Sequence, residues 1–200
     1  YINDIVNEIN SHIRLFADDT SLYIVVDQPD QAAAIINSDL ERMQNWANDW
    51  LVDFNPNKTK SLLITRKTNS IQHPKLLMNN TNIQEVEIHT HLGLTLSSDC
   101  CWKTHISNIS HKAWTRLNLL RPLKFKVSRT ALERMYFAFV RPILEYSDVV
   151  WDNCSKEDKR LLESIHNEAA RIVSGATKLT SIHKMLCELG WETLQERRDK

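Results

Sequence analysis

The amino-acid sequence predicts an α+β fold in which short strand hairpins come first and helices follow. Up to Ser98, short runs of alternating or β-branched residues are separated by turn-forming residues, with one helical stretch among them. From Trp102 onward, apolar residues recur every three or four positions, as they do on one face of a helix. This change predicts a first domain at 1–99 and a helical second domain at 100–200.

The first domain begins with a predicted hairpin and a long helix. Ile13–Phe16 and Ser21–Val26 alternate as paired strands, and Asp30–Trp50 has the periodicity of an amphipathic helix. The remaining strands of this domain are predicted at Leu51–Phe54, Ser61–Thr65, Lys75–Met78, Ile83–Ile88 and His91–Ser98. The turn-forming run MNNTN joins the third and fourth of these strands as a second hairpin.

The second domain contains recognisable helix ends. Thr130-Ala-Leu-Glu133 has the pattern of a capping box that opens a helix, and Pro142 is expected to end or kink it. Ser155 and Gly175 are typical of the residues that begin and end the next helix. Further helices are predicted around 102–122, 181–189 and 191–199.

The composition is that of a soluble globular protein. The 200 residues are 42% hydrophobic and 25% charged, with a net charge of zero. No apolar run approaches the ~20 residues that a membrane span needs, and there is no pattern of a secretory leader. The four cysteines show no CxxC spacing, which favours a reducing compartment. We therefore expect a soluble, intracellular protein with no membrane partner. No signal in the sequence supports a nuclear location.

Charge is segregated along the chain although its sum is zero. Residues 1–53 include ten acids and two bases. Residues 54–84 include five bases and residues 102–132 include seven, and neither stretch contains an acid. Such segregation suggests a cation-facing part followed by a part that faces a polyanion. Solvated helix faces are the alternative for each stretch.

Two adjacent carboxylates, Asp18 and Asp19, lie at the bend of the first predicted hairpin. Their mutual repulsion is relieved when a cation shares them, and Mg²⁺ prefers carboxylate oxygens. Two such ions about 4 Å apart can activate an attacking oxygen and stabilise a leaving oxygen in phosphoryl transfer. An acidic surface turn is the alternative, because a tripeptide such as ADD recurs by chance.

The order of five motifs resembles the reverse transcriptases of non-LTR retrotransposons, which are RNA-directed DNA polymerases. These motifs are YINDI, FADDTSLYIVV, WANDW, FNPNKTKSLLITRK and HLGLTLSSD. The resemblance continues through WKTHISNISHKAWTRLNLLR, YFAFVRPILEYSDVVW and ESIHNEAARIVSGA, so it covers essentially the whole chain. It implies the C-terminal part of a polymerase palm over 1–99, made of antiparallel hairpins and one helix. An α-helical thumb and a helical extension would follow over 100–200.

The resemblance also implies roles for individual residues. Asp18 and Asp19 match the acids of the metal-binding hairpin, with Mg²⁺ as the cofactor of the complete enzyme. Lys58 matches a lysine near the phosphates of the incoming nucleotide, where it would donate a proton to the leaving pyrophosphate. A solvated turn lysine is the alternative for this residue. His91 and Gly93 match the strand that bears on the primer end.

The resemblance further implies an RNA template, a DNA primer, deoxynucleoside triphosphates and the upstream half of the polymerase as partners. The family carries another metal-binding aspartate on a strand that would precede YINDI. Because Asp4 in that motif reads as the polar side of a helix, it is no obvious substitute. We therefore expect that this chain does not polymerise on its own.

The basic stretch at 102–132 is predicted to bind nucleic acid. As a helix it would present Lys103, Lys112 and Arg116 on one side, where such a row can follow the phosphates of a template–primer duplex. Arg121, near the end of the same helix, is a further candidate contact.

Two other classes of function stay open at this point. One is a non-catalytic nucleic-acid-binding remnant, in which the bases function and the acids do not. The other is a helical interaction protein that only shares the fold. A zinc site around His89 and His91, with Cys100, Cys101 and His105 nearby, is conceivable, but the usual finger spacings are missing.

Overall fold

The computed structural model describes residues 2–66 and 74–200. The chain forms two compact units, residues 1–89 and residues 90–200. Strand hairpins dominate the first unit and helices the second, so the predicted α+β class is confirmed. None of the helices within the described ranges has the length and apolarity that a membrane crossing requires.

In the described part of the first unit, the strands are short and one helix is long. Strands β1 (His12–Phe16) and β2 (Asp19–Tyr23) form an antiparallel hairpin, with His12 opposite Tyr23 and Phe16 opposite Asp19. A short 3-10 helix, Ile2–Val6, precedes them. The remaining elements are α1 (Pro29–Trp50), β3 (Lys60–Ser61), β4 (Leu77–Met78), β5 (Thr81–Asn82) and β6 (Gln84–Glu85). Strands β4 and β5 pair antiparallel, and β3 pairs parallel with β6.

Helix α1 organises the core of the first unit and confirms the helix predicted over 30–50. Pro29 occupies its first turn, where a missing N–H costs nothing. Apolar side chains three to four positions apart are buried on one face, and they pack with residues of β2, β4 and the β5–β6 connection. This core contains Ala33, Ile36, Leu40, Leu22, Leu76, Met78 and Ile83.

The second unit follows strand β7 (Ile88–His91), within which the two units divide. Strand β8 (Leu94–Ser97) pairs with β7. The helices are α2 (Lys103–Leu120), α3 (Arg129–Phe139), α4 (Arg141–Glu145), α5 (Asp148–Trp151), α6 (Lys156–Ser174), α7 (Ile182–Leu189) and α8 (Leu194–Arg198). As predicted, Ser155 caps α6 by accepting the Asp158 N–H, and Gly175 ends that helix in the left-handed region.

Helices α2 and α6 lie at the centre of the second unit. Their inward apolar residues have no exposed surface, and α3, α4, α5 and α8 each add a side chain that is equally buried. The core includes Ile106, Ala113, Leu117, Tyr136, Leu144, Trp151, Leu162, Ile165 and Leu194.

A buried polar contact lies beside this core. The imidazole of His166 lies between Tyr136 and the backbone carbonyl of Glu192, at 2.5 Å from Tyr136 Oη and 3.0 Å from the Glu192 oxygen. Because a carbonyl can only accept, His166 Nε2 donates to it, and Nδ1 accepts from the tyrosine hydroxyl. Burial lowers the pKa of His166 to about 4. The Trp191 ring stacks on Tyr136 with ring centroids 4.8 Å apart, and the His166 side chain is buried beside them.

Four predicted strands are wrong. Of the predicted strand Ile83–Ile88, only Gln84–Glu85 pairs, with β3, and Ile88 begins β7, whereas the hairpin partner of β4 is Thr81–Asn82. The predicted strand Leu51–Phe54 is absent because Leu51 adopts φ 54 and caps α1, donating its N–H to the carbonyls of Ala47 and Asn48. Of the predicted strand Ser61–Thr65, only Ser61 lies in a strand, β3, which pairs with β6.

The predicted single strand His91–Ser98 is instead part of a hairpin. Leu92 and Gly93 both have positive φ, as a two-residue type I′ turn requires. The same turn chemistry does occur where it was predicted, at Asn79-Asn80 between β4 and β5.

The predicted cap of α3 is also wrong. Ser128, two positions before Thr130, accepts the Ala131 N–H at 3.2 Å, so the helix begins at Arg129. Serine caps a helix at least as well as threonine. Pro142 lies in the first turn of α4, directly after the end of α3, so the predicted break is confirmed.

Candidate metal-binding hairpin and nucleic-acid surface

Asp18 and Asp19 lie at the tip of the β1–β2 hairpin. Ala17 and Asp18 form the two-residue turn, and Asp19 is the first residue of β2. Both carboxylates are exposed. Asp19 faces the same side of the hairpin as Phe16, because directly opposed residues of an antiparallel pair point to one face. Ala17 adopts φ 52, which is an unfavourable conformation for a residue with a Cβ. The backbone of the hairpin tip therefore has few conformations available to it.

The donor set at the tip suits a hard cation but is incomplete for tight binding. Two carboxylates supply oxygens of the kind that Mg²⁺ takes, and their exposure leaves room for waters or phosphate oxygens. Within residues 2–66 and 74–200, no three His, Cys, Asp or Glu side chains come together as a metal site.

The hairpin is anchored at its other end by a buried carboxylate that the sequence analysis missed. Asp39 of α1 accepts the backbone N–H groups of Asn10 and Ser11, at 3.0 Å and 2.7 Å, and forms an ion pair with Arg42 at 3.2 Å. Burial by itself would raise the pKa of Asp39, but the N–H donors and Arg42 hold this pKa below its ordinary value. This anchor holds the backbone just before β1 against α1.

The solvent-facing side of the hairpin carries stacked and charged side chains. His12 stacks on Tyr23 with ring centroids 4.8 Å apart, and the Arg14 guanidinium lies 5.6 Å from the same ring. Arg14 also donates to Tyr23 Oη at 3.3 Å. These residues share a face with Asp19 through the strand register. The alternation His12, Arg14, Phe16 was the signal in the sequence that could have identified this face.

An apolar groove runs beside β2. Its cavity of about 470 Å³ lies between the chain at 22–27 and the chain at 61–65, over α1. Residues 24–27 and 62–64 belong to no strand, and the described part of the chain provides no backbone hydrogen-bond partner for them. Val25 is 86% exposed and Ile64 is 51% exposed. The groove thus has two extended edges with unused backbone groups and an apolar lining.

Lys58 projects from a turn of the first unit. Asn55 Oδ1 accepts the backbone N–H groups of Asn57 and Lys58, at 3.0 Å and 3.3 Å, and this side-chain capping fixes the NPNKT turn. The lysine side chain is exposed.

The predicted nucleic-acid residues on α2 lie on different sides of the helix. Lys112 and Arg116 are one turn apart and exposed on one flank. Lys103 is also exposed, but it precedes Lys112 by nine residues, or two and a half turns, so it lies on the opposite side. Arg121 caps α2 and forms an ion pair with Glu168 at 3.1 Å.

His91 and Gly93 lie at the β7–β8 turn. His91 is half-buried at the end of β7, and Gly93 has φ 81. Tyr146 Oη donates to the Leu92 carbonyl at 2.9 Å, and a Cβ on Gly93 would come within 3.0 Å of the Tyr146 ring. The turn therefore accepts only glycine without rearrangement of that ring.

His105, one of the residues considered for a zinc site, is buried and hydrogen-bonded to the backbone. Its Nδ1 accepts the backbone N–H of Thr95 at 3.2 Å, and its side chain is buried between Trp102 and Trp151. Burial lowers the pKa of His105 below its ordinary value. The neutral imidazole of His105 therefore links β8 to α2, and this structural role explains its burial.

Comparison with known proteins gives a consistent group of relatives. No family model and no solved structure matches the chain. The chain is 23% identical over 92% of its length to the probable RNA-directed DNA polymerase from transposon BS of Drosophila melanogaster. It is 25% identical over 86% of its length to the RNA-directed DNA polymerase from mobile element jockey of the same fly, and 23% identical over 88% to that of Drosophila funebris.

The matches cover most of this chain but a small part of each relative. The chain spans about a fifth of the length of the curated relatives it matches. These relatives confirm the resemblance drawn from the motif order of the sequence. Over most of its length, the chain is thus similar to RNA-directed DNA polymerases of non-LTR transposons.

Proposed function

We propose that this chain forms the part of an RNA-directed DNA polymerase in which Asp18 and Asp19 are two of the metal ligands. The observation that carries the proposal is the exposed acidic pair on a narrow, anchored hairpin tip. Mg²⁺ at this pair would supply the electrostatic stabilisation that nucleotidyl transfer to a primer 3′-hydroxyl requires. The two carboxylates hold the cation, and their open side admits nucleotide phosphates.

Catalysis requires a further ligand that the described residues lack. Two exposed carboxylates bind Mg²⁺ weakly, because this ion demands near-octahedral geometry and gives up its waters reluctantly. The chain by itself therefore binds the metal weakly and does not extend a primer. The third ligand belongs to another part of the polymerase.

The groove beside β2 is the place where that other part docks. An extended strand in the groove would pair with the backbone groups of 24–27 and 62–64, which have no backbone partner among the described residues, and would cover the apolar lining. Asp19 lies three residues before Leu22 in the same strand, roughly 10 Å along it. A carboxylate on the inserted strand would thus lie within reach of the acidic pair.

Nucleic acid contacts complete the proposal. Lys112 and Arg116 form an exposed basic pair on α2 that can follow phosphates of a template–primer duplex. Lys58 is exposed on its turn and can act as the proton donor to pyrophosphate. Lys103, Arg121, His91 and Gly93 contribute to binding the template and the primer end. The partners are RNA template, DNA primer and deoxynucleoside triphosphates.

Metal binding at the pair is tested with Mn²⁺ as a paramagnetic probe. Amide NMR signals of the hairpin tip should broaden at millimolar Mn²⁺, a range typical of a few exposed ligands. The double variant Asp18→Asn, Asp19→Asn should lose this broadening, whereas Asp49→Asn, an exposed acid at the end of α1, should keep it. Equal broadening in the double variant would refute the metal site and favour the non-catalytic readings.

Catalysis is tested by RNA-templated primer extension. The 200-residue chain alone should give no extension, and adding the unmatched remainder of the jockey polymerase as a second polypeptide should restore it. Hydrogen exchange at 24–27 and 62–64 should slow on that addition, since these backbone groups become paired. Extension by the isolated chain that depends on Asp18 would show that no third ligand is needed.

Duplex binding is tested by the salt dependence of affinity. Replacing Lys112 and Arg116 by Ala should weaken binding to an RNA–DNA duplex and reduce the slope of log K against log salt by about 2. The matched control is Lys156→Ala together with Arg160→Ala, an exposed basic pair at the same spacing on α6. A slope that both double variants leave unchanged would favour the reading as an interaction protein.

A further inference from the structure

The connection between α2 and α3 carries an aromatic side chain between two lysines. We call residues 124–126, Lys124-Phe125-Lys126, the basic-aromatic loop. It lies against the connection that follows α6: Lys124 Nζ donates to the Ala176 carbonyl at 3.2 Å, and the edge of the Phe125 ring lies over Gly175. A Cβ on Gly175 would come within 3.2 Å of that ring, so glycine there leaves room for the phenylalanine.

Phe125 is held in an unfavourable state that packing does not explain. Its side chain is 83% exposed, so the ring contributes little to a core. Its backbone adopts φ 68, a region that bulky residues rarely enter and that glycine enters freely. Strain of this kind persists at positions that serve binding more often than at neutral surface positions. Lys124 Nζ lies 5.1 Å from the centroid of the Phe125 ring, and the other face of the ring is open to solvent while the backbone stays in an unfavourable conformation.

The surface around this ring is positively charged. Lys124, Lys126 and Lys178 have no carboxylate within ion-pair distance among the residues that the structure describes. The neighbouring acids are already neutralised: Glu168 is bound by Arg121 and Arg171, and Glu188 is bound by Arg129. A polyanion approaching this end of the second unit meets lysines whose charges no acid offsets.

An exposed aromatic ring flanked by lysines suits unpaired nucleotides. Every base has a π face that can stack on an aromatic side chain, and the lysines reach the adjoining phosphates. In a duplex the base faces are already stacked on one another, so a protruding ring finds no partner there. We propose that the basic-aromatic loop, with Lys178, is a binding site for single-stranded nucleic acid. A base stacks on Phe125, and Lys124, Lys126 and Lys178 contact the phosphates.

This site uses none of the residues of the acidic hairpin or of the basic pair on α2. It belongs to the second unit, whereas Asp18 and Asp19 belong to the first. The double variant Asp18→Asn, Asp19→Asn should therefore bind single strands as the unaltered chain does. Failure of the proposed polymerase function would leave this inference standing, and the reverse also holds.

The experiment measures binding of the 200-residue chain to a fluorescent single strand of about 12 nucleotides with 2-aminopurine at one position. Binding should quench the 2-aminopurine, because this base then stacks on a ring. Phe125→Leu should weaken binding roughly 5- to 100-fold and abolish the quenching, while Phe125→Trp should keep both. Phe139→Leu is the matched control, since Phe139 is 56% exposed on α3, and it should change neither quantity.

A glycine variant separates binding from folding. Phe125→Gly relieves the positive φ, so its melting temperature should be unchanged or higher, yet its affinity for the single strand should fall as in Phe125→Leu. Lys124→Ala with Lys126→Ala should lower the slope of log K against log salt by about 1.4.

Three results would overturn the proposal. The first is equal single-strand affinity for Phe125→Leu and the unaltered chain. The second is a preference of the loop for duplex, with Phe125 contributing equally to both ligands. The third is binding of anionic lipid vesicles that Phe125→Leu abolishes while single-strand binding is unaffected, which would assign the loop to a membrane surface.

Discussion

Acidification is expected to destabilise the second unit through His166. In the folded chain, burial holds the pKa of this imidazole at about 4, whereas the ordinary value is 6.5. Between these values the unfolded chain binds the extra proton and the folded chain does not, so stability falls as pH falls through this window. The free energy of unfolding should drop by about 2 kcal/mol between about pH 7.5 and about pH 5 from this group alone.

The geometry around His166 gives the reason for the lowered pKa. Nδ1 accepts from the hydroxyl of Tyr136, which is itself buried, and no carboxylate among the described residues hydrogen-bonds the ring. A proton on Nδ1 would abolish that acceptor and place a charge against Trp191 and Tyr136. Burial of this charge therefore disfavours the protonated ring in the folded chain.

Urea unfolding followed by tryptophan fluorescence at several pH values measures this effect. His166→Gln should remove it, because the amide can donate to the Glu192 carbonyl and accept from Tyr136 without titrating. His111→Gln, which replaces an exposed histidine on α2, is the control and should keep the dependence of the unaltered chain. Identical pH dependence in the unaltered chain and His166→Gln would refute the reasoning, as would NMR titration of His166 in the folded chain near 6.5.

Three further predictions concern stability, and the first two rest on matched pairs of variants. Gly93→Ala should lower the free energy of unfolding by about 1–3 kcal/mol in thermal denaturation, and by more than Gly190→Ala, since only the first added Cβ meets a neighbour, at 3.0 Å. Leu162→Ala should cost about 2–5 kcal/mol in urea unfolding, whereas Leu161→Ala, at a 39% exposed position, should cost far less. Asp39→Ala should destabilise the first unit by about 2–4 kcal/mol, because two backbone N–H groups lose a charged acceptor. Since the pKa of Asp39 is lowered, its contribution is present at neutral pH and is lost as pH falls below the ordinary value of 3.8, which an acid titration of the fluorescence would follow.

Elements with strong local signals were predictable from the sequence. The periodic apolar residues of α1 and α6 defined those helices, and Ser155 and Gly175 gave correct ends for the latter because capping is a local interaction. The acidic pair was correctly predicted at a hairpin tip because the two aspartates and the strands that flank them can be read directly from the sequence. The Asn79-Asn80 turn was predictable for the same reason, since asparagine tolerates positive φ.

Features that depend on distant residues were not predictable. Leucine and phenylalanine rarely adopt positive φ, so the sequence does not indicate the left-handed conformation of Leu51, Leu92 and Phe125. For this reason the strands Leu51–Phe54 and His91–Ser98 were wrongly predicted and the loop at 124–126 was overlooked. Asp39 accepts hydrogen bonds from backbone N–H groups 28 and 29 positions away, and Arg121 forms an ion pair with a glutamate 47 positions away. Such contacts exist only once the chain has folded, and one sequence does not reveal them.

The groove beside β2 has a consequence for handling the isolated chain. Its two edges carry backbone groups with no backbone partner in the described part of the chain, together with exposed Val25 and Ile64, so a second copy can pair with either edge as readily as the proposed occupant. Pairing at both edges has no closing symmetry and propagates from copy to copy. We expect protein concentration, rather than temperature, to limit how long the separated chain stays in solution, and co-expression with the groove's occupant to remove that limit.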